Sequence, residues 1–249
     1  MPQNPNLLPP ETKNPLHLPW GPTGAILITF LAYVASQLIL FLPFSLILFT
    51  KPHTTIDNVL NGSTWLELTL TGLSAVTLLV VLWLFLRHRK SSLKELGFRA
   101  IKKTDFGWLV IGTVVYFGLL IAALAIASHI PGFNADQSQN IGYQSAVGWQ
   151  LGLAFMGLVV LPPLAEEMLF RGFLYRGLAS RWPKIIAALV ASALFAVVHF
   201  QWNVGVDVFV LSLVMIALYE KTKNLWVCVG LHAVKNGIAF LALFVFVSR

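Results

Sequence analysis

The sequence predicts an all-α fold, a polytopic transmembrane helical bundle of about seven spans. Three observations carry that prediction. Of 249 residues, 57% are hydrophobic and only 11% are charged, whereas soluble domains carry about 25% charged residues. The apolar residues fall in runs near the ~20 residues a helix needs to cross a bilayer. The basic residues are unevenly spread: seven of the seventeen Lys and Arg lie between Arg87 and Lys103. That bias suits cytoplasmic loops against anionic lipid, and nucleic acid is not an expected partner. Cys228 is the single cysteine, which excludes an intrachain disulfide and a zinc site built on several thiolates.

In chain order, residues 1–23 hold seven of the thirteen prolines and are expected to form a disordered, proline-rich cytoplasmic tail. Residues 24–249 form the transmembrane domain. Its spans are expected at 24–49, 66–86, 106–128, from near Val147 through Gly172, 183–199, 204–219 and 225–247. The basic loop 87–105 is placed in the cytoplasm. Alternation then puts 129–146 outside, and Arg176, Arg181, Lys184, Lys221 and Lys223 inside. The N-terminus falls inside and the C-terminus outside, for a multi-pass protein of the cell membrane. The stretch Leu93–Arg99 reads as a short interfacial helix ended by Gly97.

Few polar side chains remain within the spans: Glu166, Glu167, Arg171, His199, Asp207, His232, Lys235 and Asn236. A charge at bilayer depth costs at least a few kcal/mol, so each needs a reason. Glu167 and Arg171 are four apart, share a helix face and can pair. Glu166 is rotated about 100° from Glu167 and has no partner on its own helix. Taking Trp182-Pro183 as the turn, Glu166 lies sixteen residues before Trp182 and His199 seventeen after it. In an antiparallel hairpin both stand about 24–26 Å from the turn and face each other. Phe195, one turn from His199, is its packing neighbour. His232 and Asn236 share a face of the last span, either as interhelical hydrogen-bonding groups or as part of a site. Lys235 either snorkels or pairs with Asp207. Pro162-Pro163 remove two backbone donors and free carbonyls of the preceding turn, giving a kink or a loosened helix beside Glu166.

Glu166-Glu167-x-x-x-Arg171, Phe195-x-x-x-His199 and His232-x-x-x-Asn236, in that order on three hydrophobic segments, resemble the CPBP family. That family comprises CAAX-type prenyl endopeptidases and the bacteriocin-processing or immunity proteins also called Abi. The likeness covers about residues 147–240, the protease-like core, with a faint extension to Leu96-Gly97-Phe98-Arg99. It implies an intramembrane endopeptidase acting on a membrane-associated protein or peptide, lipidated or not, with its site open towards the cytoplasm. Carried over, Glu166 is the general base on a water and His199 helps hold that water. His232 and Asn236 stabilise the oxyanion, and Glu167, Arg171 and Phe195 support. The chain departs from the family in two ways: Lys235 puts a cation inside the third motif, and the extra span of eukaryotic and archaeal CAAX enzymes is lacking.

Peptide hydrolysis needs an activated water, an oxyanion stabiliser and a proton for the leaving amine, and these residues can supply all three. The expected mechanism uses no metal. The alternative is zinc held by Glu166, His199 and His232 with water in the fourth position. Other readings are an ion or solute transporter lined by the same residues, or a non-enzymatic membrane immunity or scaffold protein. Substrate identity and oligomeric state are not written in the sequence.

Overall fold

A computed structural model describes residues 18–50, 63–135, 137, 143 and 146–246. Among these there is no strand. The helices are α1 (Pro22–Thr50), α2 (Thr64–His88), α3 (Lys103–Ala127), α4 (Gln150–Ala179), α5 (Lys184–Val197), α6 (Trp202–Thr222) and α7 (Leu225–Phe246). Six of them contain an apolar stretch long enough to cross a membrane. The exception is α5. Its 14 residues span only about 21 Å, against a hydrocarbon thickness of about 30 Å. The expected span 183–199 is therefore shorter than its hydropathy suggests. The chain leaves the helix after Val197, and Phe200 adopts a left-handed φ of 52°. His199 thus sits in a turn.

Helix ends follow from local chemistry. Pro22 opens α1, where its missing N–H would have had no partner in any case. The Ser63 hydroxyl caps α2 by accepting from Leu66 N at 3.3 Å. Asp105, in the first turn of α3, accepts from Lys102 N at 2.9 Å. Its carboxylate also takes Arg99 Nη2 at 2.9 Å and Asn224 Nδ2 at 2.9 Å. Asn224 in turn caps α7 by accepting from Trp226 N. One carboxylate thereby ties the start of α3 to the start of α7.

The basic loops share one end of the bundle, as alternation requires. Arg99 donates to Thr222 O, Arg176 to Glu95 O, and Lys184 and Lys223 both bond Glu220. At the other end Asn203 Nδ2 donates to Gln137 O at 2.9 Å. The stretch expected to lie at the interface forms a 3₁₀ turn, Leu93–Leu96, ended by Gly97 in the left-handed region at φ 98°. It docks on protein: Leu96 is fully buried and Gly97 O accepts from Leu225 N at 3.0 Å.

Burial sorts the helices. About half of the most apolar window of α4 and of α6 is buried (50% and 56%), against 22% or less in the other spans. These two are the inner helices, and α1, α2 and α3 turn large apolar side chains such as Phe30, Val80 and Val114 outward. The helix pairs α1–α2, α3–α6 and α5–α6 pack side by side, with α7 against α3, α4 and α6.

The expected tail, 1–23, needs correction at its end. Residues 1–17 lie outside those described, but Trp20 is 1% exposed. Its indole stacks on Phe173 at 5.0 Å and donates to Phe173 O at 3.2 Å. Composition made this stretch look unstructured because prolines surround a single anchoring aromatic.

Gly97 and Gly118 should respond oppositely to substitution. A Cβ on Gly97 would lie 2.5 Å from the Tyr219 hydroxyl, in a backbone conformation that L side chains rarely adopt. Gly97→Ala should lower thermal stability by about 1–3 kcal/mol. Gly118 in α3 has nothing within 4 Å, and Gly118→Ala should be neutral or stabilise by up to about 1 kcal/mol. Thermal unfolding of the purified variants reads both.

Candidate active site

The site is assembled on α4, which departs from α-helical winding twice. Met156–Val160 and Met168–Tyr175 are π-helical, on either side of the α-helical turn Leu161–Glu167. Prolines explain the first departure. The Leu158 carbonyl would receive its hydrogen bond from residue 162 in an α-helix and from residue 163 in a π-helix, and both are proline. Leu161 N does not fill in, since it donates to Met156 O. Asn236 does, from α7: its Nδ2 donates to Leu158 O at 2.9 Å. The freed carbonyl expected from Pro162-Pro163 is thus the acceptor that locks α7 onto α4.

Two turns on, the neighbouring glutamates diverge. Glu167 is fully buried, while the Glu166 side chain is 26% exposed. Glu167 Oε1 accepts from Arg171 Nη1 at 2.8 Å and from His232 Nδ1 at 2.8 Å. The Arg171 guanidinium also lies over the Phe195 ring, 4.1 Å from its centroid, a cation–π contact that supports the buried charge. The Glu167–Arg171 pair matches the spacing argument; the bond from His232 adds a third member from α7.

That bond sets the imidazole. A carboxylate acceptor requires the proton on Nδ1, which leaves Nε2 as the lone-pair end of the neutral ring. Nε2 faces Glu166 Oε2 across 3.9 Å. His199 is held in the same sense, with Nδ1 2.8 Å from Phe195 O. A carbonyl can only accept, so His199 also presents Nε2. Phe195 spaces the two rings at edge-to-face geometry, with centroids 5.0 Å from His199 and 6.0 Å from His232, and Phe170 braces it at 4.8 Å.

The structure thus brings Glu166, Glu167, Arg171, Phe195, His199 and His232 together, with Asn236 one turn beyond His232 at Leu158. It differs from the hairpin picture in one respect: the imidazole within 4 Å of Glu166 is that of His232 on α7, at 3.9 Å. Lys235 pairs with Asp207 at 3.1 Å, and Tyr116 donates to the same carboxylate at 2.5 Å. Among the described residues no group of three His, Cys, Asp or Glu could hold a metal ion. Glu166, His199 and His232 are neighbours but are not placed as a common ligand set, so they do not fit the alternative zinc site.

Tyr33 on α1 was not legible in the sequence. Its hydroxyl donates to Val198 O at 2.5 Å, and its ring lies 6.5 Å from that of Phe200. No motif marks it, since α1 carries no charged residue and its tyrosine looks like any lipid-facing aromatic.

Residues 148–238 match the family described as type II CAAX prenyl endopeptidase, Rce1-like. Over this stretch the chain is similar to that family. The match bears out the likeness to the CPBP family and contains all three motifs. Comparison with curated proteins and with solved structures returned no match. Tyr33 lies outside the Rce1-like stretch, as do the first three helices.

Removing one member of a buried ion pair leaves its partner charged and unpaired, at a cost of about 3–5 kcal/mol. Arg171→Ala should destabilise by that amount in thermal unfolding. Glu166→Gln, at a partly exposed carboxylate, should change stability by less than about 1 kcal/mol.

Proposed function

We propose that the chain is an intramembrane endopeptidase of the CAAX type that hydrolyses a peptide bond in a membrane-associated protein or peptide. The observation that carries this reading is the opposition of Glu166 Oε2 and His232 Nε2 across 3.9 Å, inside the Rce1-like stretch. The gap is too long for a direct hydrogen bond and suits a water donating one hydrogen to each.

Glu166 takes a proton from that water as general base and passes it to the leaving amine. His199 Nε2, also an acceptor, takes over the water's second hydrogen as the water turns towards the scissile carbonyl. As negative charge develops on the carbonyl oxygen, donors at the site stabilise it. His232 serves this oxygen from Nε2 in the form that carries a proton there, with its ring held at Nδ1 by Glu167. Asn236 Nδ2 has two hydrogens, one engaged by Leu158 O and the other assigned to the oxyanion. Arg171 and Phe195 hold Glu167 and the imidazoles in register. Protein side chains alone supply the chemistry in this scheme, with no resident metal.

The chain sits in the cell membrane, with the basic end facing the cytoplasm under the positive-inside rule; His199, in the turn that follows α5, places the site towards the opposite end. Its partners are membrane lipid and a protein or peptide substrate.

Glu166→Ala should lower cleavage by about 10²–10⁴-fold while the protein inserts and unfolds as wild type does. The measurement is a comparison of proteomic peptide ends in membranes carrying wild type or Glu166→Ala. A set of ends that requires Glu166 supports the proposal and names the substrate. Identical ends in both, or charge movement in proteoliposomes that depends on Glu166, would contradict it. Extensive chelation should leave cleavage unchanged; loss restored by zinc would overturn the metal-free scheme.

A further inference from the structure

A cavity with basic residues in its lining lies well away from the glutamates. It occupies about 530 Å³ where α2 meets the 3₁₀ turn, and Trp83, Arg87, Lys90, Ser91, Leu93 and Lys94 are among its lining residues. We propose that it binds the phosphate of an anionic phospholipid headgroup.

Charge comes first. Residues 87–94 include Arg87, Arg89, Lys90 and Lys94 and no carboxylate. Among the described residues none of these four joins an ion pair. Glu95, the first carboxylate after them, is engaged by the Ser91 hydroxyl. Three of the four cations line the same cavity, and a phosphate is the compact anion that such a cluster recognises.

The backbone gathers them. Lys90 takes a left-handed φ of 53°, which folds the chain back over the end of α2. Lys90 N then donates to Arg87 O at 3.0 Å and Ser91 N to Leu86 O at 2.8 Å. The fold-back brings Lys94, seven residues along the chain, to the same cavity as Arg87. Arg87 is itself positioned, its guanidinium 5.2 Å from the centroid of the Trp83 ring.

Position selects a lipid over free phosphate. The cavity opens at the end of a membrane span, Thr64–His88. Its apolar lining residues Trp83 and Leu93 are 44% and 45% exposed. Trp83 is one helical turn, about 6 Å, below Arg87. A headgroup phosphate on the cations would leave its acyl chains beside Trp83 and the outward face of α2. Free phosphate would use the cations and leave the apolar rim without a role.

The test uses the full chain purified in detergent. Native mass spectrometry follows titration with dioleoyl phosphatidylglycerol, with dioleoyl phosphatidylcholine and with sodium phosphate. Phosphatidylglycerol should bind more tightly than phosphatidylcholine. Arg87→Ala, Lys90→Ala and Lys94→Ala should each weaken it about fivefold, the value of one cation near an anionic lipid. Lys102→Ala, outside the cavity, should leave it unchanged, and sodium phosphate at the same concentration should not displace it. Equal binding of the two lipids, full retention in the triple variant, or displacement by phosphate would each overturn the proposal. All three substituted side chains are exposed, so the variants should fold.

Discussion

The site depends on one shared acceptor, Glu167 Oε1. It receives Arg171 Nη1 from its own helix and His232 Nδ1 from α7, both at 2.8 Å. A fully buried carboxylate at this depth is tolerable only when paired and hydrogen-bonded. Pairing Oε1 fixes two further things: the guanidinium that rests on Phe195, and the ring orientation that turns His232 Nε2 towards Glu166. Glu166 is left partly exposed, without a salt-bridging cation on its own helix. The two adjacent glutamates therefore have different physical roles set by their burial.

The same economy appears at Pro162-Pro163. Two prolines remove both donors that could reach Leu158 O, and Asn236 takes the carbonyl from α7. A local defect in α4 becomes a specific contact with α7, two turns from the Glu167–His232 bond. Asn236 and His232, four apart on one face, so fasten α7 to α4 at two points. The π-helical stretch that follows Glu167 keeps every side chain from Met168 to Tyr175 buried and supplies the Phe173 carbonyl that Trp20 uses.

Much of this was legible in the sequence because charge at bilayer depth is rare. The hydropathy runs located the long helices, the basic loops sorted the two ends, and four-residue spacing paired Glu167 with Arg171. Phe195 and His199 were likewise placed together by spacing. What spacing within one hairpin cannot show is a third helix arriving from elsewhere, and so His232 was not seen as the neighbour of both glutamates. Helix 183–199 was overlong because apolar turn residues are indistinguishable from apolar helix. Trp20 and Tyr33 were missed for a related reason. Each acts through one backbone carbonyl on a distant element, Phe173 O and Val198 O, and carbonyls leave no trace in residue identity.

The central claim is that His232 is bound to Glu167 and only faces Glu166. Double-mutant cycles in reversible denaturant unfolding measure this directly. Glu167→Gln combined with His232→Ala should show a coupling of about 1.5–3 kcal/mol, as expected for residues sharing a buried network. Glu166→Gln combined with His232→Ala should show less than about 0.5 kcal/mol in the unliganded protein, because the pair is not hydrogen-bonded. Equal couplings, or a larger one for Glu166, would contradict the assignment of the two glutamates.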